Sequence, residues 1–115
     1  MGEVRGSELS RKMGTDLTMD SSLEDPAKIV RGETGGLGAD VVIDCSGSKG
    51  GYMMLLQLVR QGRKLIRIGL MGGAEVPIPV DRIALNELEV YGVRANPNRC
   101  DDVIRLRAGQ TLSLW

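Results

Sequence analysis

The chain has 115 residues, and its 15 Lys and Arg balance 15 Asp and Glu. This balance gives no field that would attract nucleic acid or an anionic membrane, and an aromatic content of 3% leaves no platform for stacking bases. No apolar stretch approaches the roughly 20 residues of a membrane span, and the first residues lack the apolar run of a signal peptide. Composition therefore predicts a cytoplasmic protein without nucleic-acid or membrane partners, formed by one small domain or by part of a larger one.

The absence of histidine excludes several kinds of catalytic site. Without His the chain holds no Ser-His-Asp triad, no Cys-His pair and no His metal ligand. Its two cysteines, Cys45 and Cys100, lie far apart in the sequence and lack metal-type spacing. We therefore expect free thiols in a reducing compartment, with neither catalytic nor metal-ligating residues in this chain.

The amino-terminal third predicts two helices around a short strand. Ser7 is expected to cap the first helix, and residues 16–19 to form the strand. Asp25 and Pro26 predict the start of the second helix, because Asp caps a helix well and Pro is tolerated at its first position. The glycine-rich stretch 35–38 is expected to end that helix.

Further strands and helices alternate along the rest of the chain. The β-branched run 41–43 is typical of a strand covered on both faces. Apolar residues at helical spacing follow over residues 52–59, and residues 64–69 predict the next strand. Beyond a loop, we expect a short helix over 81–86 and a strand over 88–93.

The last predicted helix begins at Asn98, which is expected to cap it, and buries Val103 and Leu106. Strict alternation of helices and strands favours an α/β fold with a parallel sheet and right-handed crossovers.

Two turns at strand ends point to a ligand site. Open α/β sheets bind ligands at the carboxyl ends of their strands, and here Gly47 and Gly69 follow two such ends. Asp44 is expected either to cap the turn after its strand or to orient a cofactor, with capping the more favoured. Cys45 is expected to pack as a small apolar residue.

Four stretches, in this order along the chain, carry a family resemblance. They are residues 11–16 (Arg-Lys-Met-Gly-Thr-Asp), 34–47 (Thr-Gly-Gly-Leu-Gly-Ala-Asp-Val-Val-Ile-Asp-Cys-Ser-Gly), 58–63 (Leu-Val-Arg-Gln-Gly-Arg) and 87–92 (Glu-Leu-Glu-Val-Tyr-Gly). Together they resemble the medium-chain dehydrogenase/reductase superfamily, in particular its zinc-type alcohol, polyol and threonine dehydrogenases; Gln61 and Arg63 depart from the family pattern. The resemblance implies a partial Rossmann-type, doubly wound parallel sheet. This sheet would contain strands 3 to 6 of the family domain and would lack the first βαβ unit. Residues 1–109 would form this partial dinucleotide-binding domain, and 110–115 an atypical tail.

The resemblance also implies where NAD or NADP would lie. In such enzymes three backbone segments contact the cofactor, the first near its adenosine side and the other two at the nicotinamide carboxamide. The corresponding residues here are Cys45, Ser46 and Gly47, then Ile68, Gly69 and Leu70, then Val93, Arg94 and Ala95. Backbone N–H and C=O groups suit a carboxamide, which has two donors and one acceptor.

Three departures from the family limit what this chain is expected to do. It has no Gly-x-Gly-x-x-Gly turn for the pyrophosphate and no acidic residue at the end of a second strand for the ribose. The catalytic domain with its zinc ligands is also missing. We therefore expect a fragment without dehydrogenase activity, whose strand at 16–19 lacks a neighbour and whose residues 41–45 form an exposed apolar edge.

Two other interpretations stay open at this point. The chain is alternatively a non-enzymatic α/β module that forms a homo-oligomer, or pairs with a partner chain, through that exposed edge. A third interpretation is a fragment of a zinc-free, quinone-reductase-like enzyme of the same superfamily, in which the upstream sequence would lack a Cys-rich metal lobe.

Overall fold

The computed structural model describes residues 2–94 and 98–109, with side chains from residue 7 onward. Within these ranges it has five helices and three strands. In chain order they are α1 (Gly2–Lys12), α2 (Pro26–Glu33), β1 (Ala39–Asp44), α3 (Lys49–Leu58), β2 (Val59–Arg67), α4 (Val80–Leu85), β3 (Glu89–Gly92) and α5 (Cys100–Arg107). None of the described helices has the length and apolarity needed to cross a membrane.

The three strands form one parallel sheet in the order β1-β2-β3. Val42 of β1 is paired with Leu65 of β2, which is paired in turn with Val90 of β3. Helix α3 connects the first two strands, so β1, α3 and β2 form the predicted βαβ unit. The prediction of an α/β fold with a parallel sheet is confirmed.

The core lies between α3 and one face of the sheet. Leu65 is completely buried, and Val42, Leu55 and Leu56 are almost so. On the other face of β1, Val41 and Ile43 are 50% and 53% exposed. The prediction that the run 41–43 is covered on both faces is therefore wrong, because the described helices pack against only one face of this strand. β1 is an outer strand of the sheet with an exposed apolar face, as the missing neighbours led us to expect.

The start of α2 follows the predicted capping chemistry. The Asp25 carboxylate accepts hydrogen bonds from the backbone N–H of Ala27 at 3.0 Å and of Lys28 at 3.5 Å. Pro26 occupies the first helical position, where its missing N–H leaves no hydrogen bond unmade. The helix ends at Glu33, directly before the glycine-rich stretch.

Two predictions for the amino-terminal part are wrong. Residues 16–19 form no strand, since a strand requires a hydrogen-bonded neighbour and none of the described strands lies beside them. Ser7 does not cap α1, because the helix begins five residues earlier and passes through it. A single glycine such as Gly6 destabilises a helix interior by only about 1 kcal/mol, which does not force a helix to begin after it.

Two predictions for the last helix are also wrong. Asn98 does not cap α5; its φ of 58° places it in a left-handed turn, and the residue at the cap position is Arg99. Val103 and Leu106 are each 57% exposed instead of buried. The apolar spacing of α5 is correct for an amphipathic helix, but no described element covers its apolar side.

Candidate functional site

The carboxyl ends of the three strands bring the predicted site residues to one edge of the sheet. We call the residues after each strand the first strand-end segment (45–47), the second (68–70) and the third (93–94). Ala95, also predicted for the site, lies outside the described residues. The other eight predicted residues all belong to these segments.

Backbone hydrogen bonds attach the second and third segments to the neighbouring strands. The carbonyl oxygen of Asp44 accepts hydrogen bonds from the N–H groups of Ile68 at 2.9 Å and Gly69 at 3.0 Å. The carbonyl oxygen of Arg67 accepts one from the N–H of Val93 at 2.9 Å. The second segment is thereby attached to the end of β1, and the third to the end of β2.

Gly47 and Gly69 lie where the first two segments touch. A Cβ atom on Gly47 would overlap the carbonyl oxygen of Leu70, and one on Gly69 would overlap the backbone nitrogen of Gly47. Gly47 also has a φ of 64°, which strains other residues. Contact between the two turns therefore already requires glycine at both positions, without a ligand.

The side chain of Asp44 caps the first segment. It is 4% exposed, and its Oδ1 accepts hydrogen bonds from the Ser46 N–H at 2.9 Å and the Ser46 hydroxyl at 2.7 Å. Burial alone would raise the pKa of Asp44. The two hydrogen bonds from Ser46 and the positive charge of Arg67 outweigh this effect, so the pKa is lowered and the carboxylate stays ionised at neutral pH. The predicted capping role of Asp44 is confirmed.

Arg67 is the main residue of this region that sequence reasoning missed. Its Nη1 forms an ion pair with Asp44 Oδ2 at 2.6 Å, and its side chain is only 17% exposed. The guanidinium also lies over the ring of Tyr52 from α3, 4.9 Å from the ring centroid. A signal was available, since Arg67 is a charged residue between the apolar residues Ile66 and Ile68.

Most side chains of the strand-end segments remain accessible. Ile68 and Val93 are 42% and 41% exposed and Leu70 is 81% exposed, so an apolar surface lies at this edge. Arg94 is exposed too. Cys45 is also exposed, which makes the expectation that it packs as a buried apolar residue wrong. Its side chain lies beyond the last buried position of β1, which is Asp44.

The residues present do not fit a zinc ion. The sequence contains no His, and within the described ranges no three Cys, Asp or Glu side chains come close enough together to hold a metal. They do place accessible apolar side chains, those of Ile68, Leu70 and Val93, at the carboxyl ends of the strands.

The family model and the relatives that match this chain agree on one family. The model of the zinc-binding dehydrogenase family matches residues 3–108. D-arabitol-phosphate dehydrogenase from Enterococcus avium is 33% identical over 107 residues, which are 92% of this chain and 30% of that protein.

Solved structures agree with this family. Alcohol dehydrogenase TADH from Thermus sp. ATN1 superposes with a TM-score of 0.78 at 25% identity, over 90% of this chain and 30% of that one. A protein from Sinorhizobium meliloti 1021, solved bound to NADP, superposes with a TM-score of 0.77 at 27% identity, over 90% of this chain and 31% of that one. This chain thus spans less than a third of the length of these relatives.

Proposed function

Since the chain belongs to the zinc-binding dehydrogenase family, we propose that it forms the nicotinamide-side wall of an NAD(P) site in an alcohol or polyol dehydrogenase. By itself it has no dehydrogenase activity under this proposal. The observation that carries the proposal is the meeting of the three strand-end segments at the carboxyl edge of a parallel sheet, where backbone hydrogen bonds attach the second segment to β1 and the third to β2. This edge is where open α/β sheets bind nucleotides.

The proposed role of these segments is to bind and orient the carboxamide end of the cofactor. When bound, the nicotinamide ring would supply hydride transfer. Backbone groups of the second and third segments would hydrogen-bond the carboxamide, while Ile68 and Val93 shield one side of the ring from water. No residue of this chain holds or moves the proton of a substrate alcohol in this proposal, and zinc would be held by another part of the complete enzyme.

Cofactor binding is tested by titrating the chain with NADH and, separately, with NADPH, and recording the shifts of its backbone amide resonances. We expect shifts at the strand-end segments and none at Gln61 and Arg63, near the opposite ends of the strands. Dissociation constants in the millimolar range are expected, because no phosphate-binding turn is present.

A matched pair of variants locates the binding surface. Leu70 is 81% exposed in the second segment, and Leu85 is 76% exposed at the end of α4, away from the segments. Leu70→Asp should weaken NADH binding because it places a negative charge beside an anionic ligand, whereas Leu85→Asp should not. Equal effects of the two substitutions, or no NADH-dependent shift in the unsubstituted chain, would refute the proposed cofactor role.

Activity is tested separately. The pure chain, mixed with NAD or NADP and with ethanol or sorbitol, should produce no absorbance at 340 nm above the rate without protein. Turnover that disappears in the Leu70→Asp variant would show that the chain is catalytic by itself and would contradict the proposal.

The exposed face of β1 favours a second candidate, a module that associates through its sheet edge. Val41 and Ile43 are about half exposed on an outer strand, and such a strand is a template for pairing with another chain. Light scattering after size-exclusion chromatography should then show a defined dimer that Val41→Lys converts to monomer. A monomer at every concentration would exclude self-association as the function.

A further inference from the structure

We propose that Asp44 and Arg67 are a positioning pair that holds all three strand-end segments in a single arrangement and thereby sets the affinity for the cofactor. The second half of this inference rests on the proposed function, whereas the first half is a property of the chain itself. Each of the two residues uses both its backbone and its side chain in this role.

Asp44 controls the first two segments. Its carboxylate binds the N–H and the hydroxyl of Ser46 in the first segment, and its carbonyl oxygen binds the N–H groups of Ile68 and Gly69 in the second. A shift of Asp44 would therefore move both turns, which also touch each other at Gly47.

Arg67 controls the third segment. Its carbonyl oxygen accepts the hydrogen bond from Val93, and its guanidinium contacts both the Asp44 carboxylate and the Tyr52 ring. The strand register places Asp44 directly beside Arg67, and Arg67 directly beside Gly92 at the end of β3. The ion pair thus joins Asp44 and Arg67, and these two residues together make hydrogen bonds to residues of all three segments.

Each charge of the pair depends on the other. Within the described residues, neither Asp44 Oδ2 nor Arg67 Nη1 has a hydrogen-bond partner apart from this ionic contact. Buried ion pairs often add little stability compared with apolar residues of similar volume, but they are costly to break by removing one partner. Stability alone would therefore not require a buried ion pair at this place. Fixing the geometry of the strand-end segments would require it.

The exposed carboxylate Asp40 provides a matched control. It lies on the same strand, contacts Arg60 at 3.4 Å and Arg63 at 3.2 Å, and is 69% exposed. Substituting Asp40 removes a carboxylate and its ion pairs from β1, but no hydrogen bond among the strand-end segments depends on it.

The test compares Asp44→Asn, Arg67→Met, the double variant with both changes, and Asp40→Asn. Amide hydrogen exchange is measured at Ile68, Gly69 and Val93, relative to amides in the middle of β2. The single variants should unfold more easily, because each leaves one charge buried alone. The double variant should regain the unfolding midpoint of the unsubstituted chain and still exchange these three amides about tenfold faster or more.

A conservative variant and NADH complete the test. Arg67→Lys keeps the positive charge beside Asp44 but loses the flat guanidinium over Tyr52, so exchange at Val93 should fall between that of the double variant and that of the unsubstituted chain. If that chain binds NADH, the double variant should bind about tenfold more weakly or worse, with Asp40→Asn unchanged. Normal exchange at all three amides in the double variant would overturn the positioning role, whatever NADH does. Absence of NADH binding in the unsubstituted chain would overturn the proposed function, and the exchange data would still decide the positioning role.

Discussion

The two faces of β1 are built from similar residues and have different surroundings. Val42 and Asp44 point to the face covered by α3 and are 7% and 4% exposed, whereas Val41 and Ile43 point to the open face and are about half exposed. The covered face contains both the apolar core and the Asp44–Arg67 pair. On the open face, none of the described elements packs over the apolar side chains.

This difference shows what the chain can hold together by its own contacts. Helix α3 packs on β1 and β2, and its leucines complete a small core around Leu65. The same helix supplies Tyr52, whose ring lies beside Arg67. The strand-end segments are therefore attached to the best-packed part of the molecule, which favours a defined geometry at the proposed site even though the rest of the fold is thinly covered.

The largest expected effect comes from removing the centre of the covered face. Leu65→Ala should lower the free energy of unfolding by about 2–5 kcal/mol, because it leaves a cavity at a completely buried position. Ile43→Ala on the open face should lower it by less than about 1 kcal/mol, since half of that side chain is already in water. Urea unfolding followed by far-ultraviolet circular dichroism measures both values. Similar losses for the two variants would contradict the distinction between the faces.

With a core this small, the total stability is also expected to be low. Among the residues that the structure describes, four buried side chains form the core cluster, and domains that bury little surface are marginally stable. We expect Leu65→Ala to leave much of the chain unfolded at 25 °C without denaturant. A sharp thermal transition of the unsubstituted monomer at high temperature would contradict low stability.

A smaller effect is expected from acid, and it acts on the covered face. The pKa of Asp44 is lower in the folded chain than its ordinary value, so its ionised form stabilises the fold. This contribution is complete above the pKa of the unfolded chain, about 4, and is lost as the pH falls through the lower folded pKa. Unfolding midpoints measured between pH 7 and pH 2 should therefore fall most steeply below about pH 4.

Two substitutions test whether Asp44 causes this dependence of stability on acid. Asp44→Asn should reduce the slope below about pH 4, because no carboxylate remains there to be protonated. Asp40→Asn should leave most of the slope in place, since ion pairs of exposed side chains contribute little. An unchanged slope in Asp44→Asn would show that other carboxylates cause the acid sensitivity.

The sequence could predict the local parts of this structure. Asp25 and Pro26 start α2 because capping depends on neighbouring residues only, and the alternation of apolar segments was enough to predict a parallel α/β sheet. The strand ends carrying Gly47 and Gly69 were also recognisable from short stretches of sequence.

The parts that failed depend on contacts distant in sequence. The exposure of Val41 and Val103 is decided by which element covers them, which their own spacing does not contain. The Arg67 pair depends on the register of β1 against β2, which places it beside Asp44. Local sequence showed a charge between two isoleucines, but only the strand pairing shows its partner.

The smallest expected effect concerns the open face, where Tyr91 and Glu89 of β3 interact in solvent. The Tyr91 hydroxyl donates a hydrogen bond to Glu89 Oε2 at 2.5 Å. This bond, together with the negative charge of Glu89, raises the pKa of Tyr91, because both favour the neutral phenol over the phenolate. Glu89→Gln should therefore lower the pKa of Tyr91, as measured by absorbance at 295 nm with Tyr91→Phe as the baseline for the other tyrosine. The unfolding midpoint at pH 7 should not change.

On the covered face, by contrast, replacing the Asp44 carboxylate by an amide should change the unfolding midpoint, because there the charge is buried beside Arg67. If Glu89→Gln lost as much stability as Asp44→Asn, burial would not explain the different contributions of the carboxylates on the two faces.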